Sequence, residues 1–287
     1  MLTTSQRGLT IAALLALAGC GKSPTPVTRP TPNINVASAT PAAGAISLST
    51  LWQSRVLLER RDSLILTLPN GSKQLQRLGR NALFTLTIDG KNLRVTLDSL
   101  QLIPASAEAS KEAVGTTWTG WLGAYGKLEN FTASRGGVLV EELTQTVANL
   151  LPRLPRGGAR PGDRWADTSK KSIRVEIFRT DDQRTGQWRV AAPMDREGIR
   201  VIPVQVREAF EQIGRGSSAG RNMTMTAQGS RSAQYYMTLD GRVEVATVID
   251  SAAKLITIPG SQQSIPTMQY SRTLIRFRPL VAKSPNE

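Results

Sequence analysis

Ala82-Leu83-Phe84-Thr85-Leu86-Thr87-Ile88-Asp89-Gly90-Lys91-Asn92-Leu93-Arg94-Val95-Thr96-Leu97 is a pair of alternating runs joined by Asp-Gly. Strict alternation of apolar and polar side chains is the period of a half-buried strand. Asp-Gly between two such runs suits a two-residue hairpin loop, in which both positions take positive φ. With Asp89-Gly90 as the loop, Leu86 faces Leu93, Phe84 faces Val95 and Ala82 faces Leu97 on one side, while Thr85 faces Arg94 on the other. One apolar and one polar face describe an antiparallel sheet buried on one side only. Beyond Leu97 the apolar phase moves to Leu100 and Leu102, which predicts a bulge near Asp98-Ser99.

The pattern extends outward from this hairpin. A second pair, Asp240-Gly241, joins 234–239 to 242–249, with Tyr236 facing Val245 and Thr238 facing Val243. Further short strands are predicted at 53–60, 63–68, 73–78, 115–123, 127–133, 171–179, 185–191, 199–210, 221–229, 255–258 and 267–277. Closely spaced strands with turn residues between them indicate an antiparallel β architecture. One segment carries the helical period. Across 137–151, Leu139, Leu143, Val147 and Leu150 share a stripe, Glu141 and Glu142 sit early where the helix dipole favours acids, and Pro152 ends the run. The expected fold is mainly β: a large antiparallel curved sheet, or open or half barrel, with one packed amphipathic helix. It spans residues 47–279, with a disordered tail at 280–287.

Composition removes several chemistries. Among 287 residues there is no histidine and one cysteine. No Ser-His-Asp triad, Cys-His pair, intrachain disulfide, or zinc or iron site built on His or Cys can form, so neither a metal site nor a cofactor is expected. Gly216-Ser217-Ser218-Ala219-Gly220 has the spacing of an esterase nucleophile turn but lacks the base and reads strand to strand. Ser251-Ala252-Ala253-Lys254 has the Ser-x-x-Lys spacing without the Lys-Thr-Gly partner. Carboxylate pairs remain, at Glu141-Glu142 and Asp181-Asp182, but neighbours on a helix diverge and a hydrolase needs two acids across a cleft.

The chain is basic, with 36 Lys+Arg against 22 Asp+Glu and a formal net charge of +14. The connection from Leu151 to Trp165 concentrates Arg153, Arg156, Arg160 and Arg164. These four are assigned to contact with an anionic surface such as lipid headgroups. The competing reading is a solvated connection in which Trp165 covers the sheet edge. Nucleic acid is not an expected partner, because no aromatic stacking platform accompanies the scattered basic residues.

Residues 1–20, MLTTSQRGLTIAALLALAGC, combine one charge, a short apolar run, small residues and the sole cysteine. The run is too short to span a bilayer and has the form of an export signal. Leu17-Ala18-Gly19-Cys20 resembles the lipobox of bacterial lipoproteins. That resemblance implies removal of 1–19, lipidation of Cys20, acylation of the new amino terminus with palmitate-like chains, and membrane anchoring. Gly21 implies the outer membrane, facing the periplasm. Residues 20–46, rich in Pro, Thr and Ala, lack apolar periodicity and are expected to be a flexible tether. The body resembles, in architecture alone, the periplasmic lipoprotein carriers of the LolA and LppX type, which lay helix over a curved sheet. Pro161-Gly162-Asp163-Arg164-Trp165 is similar to a Pro-Gly-Asp-x-Trp feature of uncharacterised exported β-proteins, which implies no activity.

Together these readings predict a non-catalytic envelope lipoprotein that binds a lipid or other amphipathic ligand on its curved sheet. Phe84, Leu86, Leu93, Val95, Trp118 and Trp121 are the expected lining. The alternative is a structural or assembly lipoprotein that meets an envelope protein or anionic partner through the basic connection. A carboxylate-based hydrolase comes third.

Overall fold

In the computed structural model the described residues are 44–280, apart from 69, 124–125, 176, 219–220 and 260–262. The leader, Cys20, most of the tether and all but the first residue of the predicted tail lie outside them.

The elements in order are β1 (Leu51–Thr67), β2 (Lys73–Asp89), β3 (Asn92–Ile103), α1 (Ala107–Ala113), β4 (Thr117–Leu122), β5 (Leu128–Ala133), α2 (Val138–Val147), β6 (Arg164–Val175), β7 (Phe178–Val190), β8 (Met194–Arg196), β9 (Ile199–Ser218), β10 (Arg221–Thr238), β11 (Val243–Ile258) and β12 (Gln263–Pro279). Among the described residues twelve strands form one open antiparallel sheet, in the order β5-β4-β3-β2-β1-β12-β11-β10-β9-β7-β6, with β8 attached to β9. The sheet is thus two meanders joined at a β1–β12 seam. The chain passes between the sheet's edges, β5 and β6, through the segment that carries α2.

The predicted hairpin forms with its turn one residue later than expected. Asp89 pairs with Asn92, Ile88 with Leu93, Leu86 with Val95 and Phe84 with Leu97. Gly90 and Lys91 therefore make the loop. This moves the pairing by two positions, so the apolar face is unchanged. The bulge falls where the phase change places it: Leu83 pairs with Ser99 and Phe84 with Leu97, leaving Asp98 as the extra residue. At the second Asp-Gly pair, Tyr236 faces Val245 as expected, but a bulge brings Met237, not Thr238, opposite Val243. Gly241 is required there twice over. Its φ is +84°, and a Cβ would lie 2.0 Å from the Ser47 carbonyl oxygen, where the incoming segment crosses the turn.

α2 replaces the predicted 137–151 helix with a shorter one, and α1 is an addition to the single helix expected. The stripe behaves as its period requires. Leu143, Val147 and Leu150 are buried against Phe84, Leu86, Val95 and Trp118 of the sheet. Each such side chain contributes roughly 1.5–3 kcal/mol on burial. The Trp118 Nε1–H donates to Thr144 Oγ1 at 2.8 Å, which fixes the helix on β4. On the far side of the fold the Tyr235 hydroxyl donates to the Asn149 carbonyl at 3.1 Å. The short helix and the residues just after it reach both β4 and β10 because the sheet curls around them.

Candidate functional site

Alternation sends every second side chain to the concave face. Along β1 that phase carries Trp52, Val56 and Leu58 into the core, then Arg60, Asp62 and Leu64 beyond it. The other long strands repeat the change. On β9, Val206 gives way to Glu208 and Gln212; on β10, Ala233 to Arg231; on β11, Val248 to Asp250 and Lys254. The register then aligns Asp62, Ser271, Asp250, Arg231 and Glu208 across five adjacent strands. Charges that lie far apart in the sequence form one transverse row on the inner surface.

Asp62, Ser271, Asp250 and Arg231 of this row border a cavity of about 270 Å³. Its apolar lining includes Leu64, Leu78, Ile173 and Phe210, and α2 supplies the polar Glu142, Gln145 and Thr146, with Asn149 just beyond its end. The helix is therefore a partition, with its apolar side in the solid core and its polar side toward the cavity. Its adjacent glutamates diverge to opposite flanks of the sheet, Glu142 to Arg80 of β2 and Glu141 to Arg174 of β6. Lys171 Nζ donates to Gln145 Oε1 at 2.6 Å.

Two of the charge clusters are fully hydrogen-bonded. Arg60 Nε donates to both Asp62 oxygens at 2.9 Å, and the Ser271 hydroxyl donates to Asp62 as well. Arg184 Nε and Gln212 Nε2 each donate to Asp182, at 2.7 and 2.8 Å, and the Arg184 guanidinium lies over the Phe210 ring. Gly229 makes room for that ring, since a Cβ there would lie 2.5 Å from Phe210 Cζ. Burial pushes the Asp62 carboxyl up, but the Arg60 hydrogen bonds and charge outweigh it and hold the group below its ordinary value.

Two other cations are held loosely. Arg80 Nη1 is 3.8 Å from Glu142. Arg231 Nε is 3.8 Å from Glu208 and 4.0 Å from Asp250, although its side chain is only 10% exposed. These separations exceed hydrogen-bond reach, and both Arg231 Nε and Glu208 Oε2 are buried without a hydrogen-bond partner. Burial and the neighbouring Arg60 charge lower the Arg80 pKa to about 10. Burial and Arg184 lower that of Lys171 to about 8.

The residues singled out from the sequence lie elsewhere. Phe84, Leu86, Leu93, Val95 and Trp118 are buried under α2. The void bordered there by Leu86, Leu93, Val95, Val147 and Leu150 is about 10 Å³, at the lower limit for one water. Trp121 is on the outer face, 51% exposed. Of the basic connection, Arg153 is bound to Asp167, Arg156, Arg160 and Arg164 are exposed, and Trp165 stacks inward on Trp188 at 5.9 Å. Ser251 and Lys254 point to opposite faces of β11. Ser217 is a strand residue near the end of β9, and Ala219-Gly220 fall outside the described residues.

The cavity residues went unread, yet a signal marked them. The gaps between predicted strands at 61–62, 180–184, 230–233 and 250–254 are continuous strand in the fold. They contain Asp62, Asp182, Arg184, Arg231, Asp250 and Lys254. A charge in phase with the apolar side of a strand marks this site.

No known family's profile matches the chain, and no curated protein matches it. Among solved structures it is similar to an outer-membrane channel from Pseudomonas putida F1 at 10% identity, over 82% of this chain and 98% of that one, with a TM-score of 0.21. It is similar to OmpF from Salmonella typhi, in complex with daunomycin, at 7% identity over 79% and 98%, with a TM-score of 0.20. It is also similar to a LolA superfamily protein from Nitrosomonas europaea at 7% identity over 78% and 87%, with a TM-score of 0.15. At these scores the three likenesses carry no argument about this chain. Among the described residues no helix is long and apolar enough to cross a membrane.

Proposed function

We propose that this chain is a non-catalytic envelope lipoprotein, anchored through Cys20, that binds a lipid or other amphipathic ligand in the concave cavity beside α2. The observation that carries the reading is the partition made by α2. It fills the apolar end of the curved sheet and leaves the other end with an open cavity lined by both aliphatic and charged side chains. A binding pocket combines an apolar surface with a few convergent polar groups in this way. The cavity carboxylates each face a guanidinium, Asp62 that of Arg60, Glu142 that of Arg80 and Asp250 that of Arg231. That supports binding over acid-base chemistry, which needs a protonated acid.

The test is native mass spectrometry of the chain gently extracted from its host membrane. A lipid-sized adduct is expected, and it should vanish in Ala252→Trp, which fills the cavity from its floor. No adduct, or one that persists in the filled variant, rejects the reading.

A second reading, a structural or assembly lipoprotein, has an observation of its own on the convex face. Exposed arginines stand directly opposite one another at Arg55–Arg278, Arg61–Arg272 and Arg164–Arg189. Like charges in this arrangement are unfavourable, and an anionic partner relieves them. A stoichiometric protein that co-purifies, and is lost in Arg55→Glu with Arg278→Glu, favours this reading.

A further inference from the structure

The inner surface holds more positive charge than its own acids satisfy at close range. Arg60 and Arg184 are each bound to a carboxylate by direct hydrogen bonds, at 2.9 and 2.7 Å. Arg80, on β2, and Arg231, on β10, are not, because their carboxylate neighbours stand off at 3.8 to 4.0 Å. Both border the cavity. Arg231 is nine-tenths buried and shares a hydrogen bond with Tyr235, but among the described residues its Nε lacks a partner, as does Glu208 Oε2 beside it. A buried donor left without an acceptor is unfavourable, so the arrangement favours any ligand that brings an acceptor.

The two donors reach the cavity from β2 and β10, which are separated in the sheet by β1, β12 and β11. An acceptor that serves both must present oxygens in more than one direction. A tetrahedral phosphate does this, whereas a planar carboxylate presents one edge to one guanidinium fork. We infer that the cavity is a phosphate site, with Arg80 and Arg231 as the donors to the oxyanion. This rests on the reading of the cavity as a ligand site and names the chemistry of what it takes. The neighbouring Leu64, Leu78 and Phe210 leave an apolar surface beside the phosphate. The depressed pKa of Arg80 points the same way, since it reflects burial together with the neighbouring Arg60 cation. An added anion reverses the second contribution.

The phosphate can belong to a lipid headgroup or be free, and calorimetric titration of the full-length chain separates the two. Three probes are used below their micellar concentrations: inorganic phosphate, dihexanoyl phosphatidylglycerol, and dihexanoylglycerol, which has the same tails without phosphate. Phosphatidylglycerol is expected to bind at least tenfold tighter than dihexanoylglycerol, with Arg80→Gln weakening it about tenfold. Asp250→Asn removes a competing negative charge and should tighten both phosphate-bearing probes, a gain that a misfolded variant cannot produce.

If inorganic phosphate binds and phosphatidylglycerol does not, the phosphate site stands and the lipid reading falls. If dihexanoylglycerol binds as tightly as phosphatidylglycerol, the inference is overturned and the amphipathic cavity survives. If none of the three binds, both fail. Phosphate binding unchanged by Arg80→Gln and Asp250→Asn places the ion elsewhere on a basic protein and overturns the inference.

Discussion

The two ends of the concave face are made from the same strands with the same alternation, and they differ in almost every other respect. At one end the inward residues are Trp52, Val56, Phe84, Leu86 and Trp118, and α2 packs on them to leave almost no void. At the other they are Arg60, Asp62, Arg231, Asp250 and Lys254, around an open cavity. The strands set which way a side chain points. What lies over them sets whether that position is core or site. The helix makes the boundary because its own two faces differ.

The comparison breaks most visibly at Phe84. Phe84→Ala should destabilise the fold by about 3–5 kcal/mol by denaturant titration. The same truncation at Leu78, which borders the cavity and is 39% exposed, should cost less than about 1 kcal/mol. Equal losses would show that the cavity end is packed as tightly as the core end. Next in size is Asp182→Ala. It removes the buried partner of the half-buried Arg184 guanidinium and of Gln212 and should cost about 3 kcal/mol, while Asp181→Ala, on the exposed side of the same strand, is expected to be near neutral. Thr144→Val removes the acceptor of the Trp118 indole and should lower stability by about 1–2 kcal/mol, with a changed tryptophan emission.

The two ends also differ in pH dependence. Lys171 titrates near 8 in the folded chain, below its unfolded value, so the unfolded state holds the extra proton between that pH and about 10.5. Stability should rise as pH increases through this window and be lowest, with respect to this group, below 8. Lys171→Met should remove the rise. Asp62 has the opposite sense. Its depressed folded pKa supplies stability above the ordinary carboxylate range, and that stability is lost as pH falls through the folded value.

The sheet was legible from period-two alternation and Asp-Gly turns because a strand with one buried face displays its geometry in its residues. The lapses cluster where that rule is broken for a reason. β1 reads as two strands because Arg60, Arg61 and Asp62 interrupt the apolar rhythm, yet the backbone runs unbroken from Leu51 to Thr67. Two of those three charges point inward and are satisfied by one another and by Ser271. The break between 179 and 185 likewise falls on Asp182 and Arg184 of a continuous β7. Pattern reading treats an inward charge as a turn. Partners such as Asp182 and Gln212, or Arg231 and Glu208, are joined only by cross-strand register, which no local window contains. The ligand assignment followed the apolar face, but α2 covers that face, and the depth of a cover is not written in the stripe that makes it.

The β1–β12 seam has a consequence for biogenesis. Every other neighbouring pair of the central strands is joined by a short turn, but Arg60 and Ser271 meet across 211 positions of chain. The first long strand to leave the ribosome therefore waits for the last before its second edge is covered, and an uncovered edge is a template for pairing with other chains. Assembly of this sheet ends at its middle, and a chain stalled before β12 would carry an adhesive ribbon through its centre instead of at its rim.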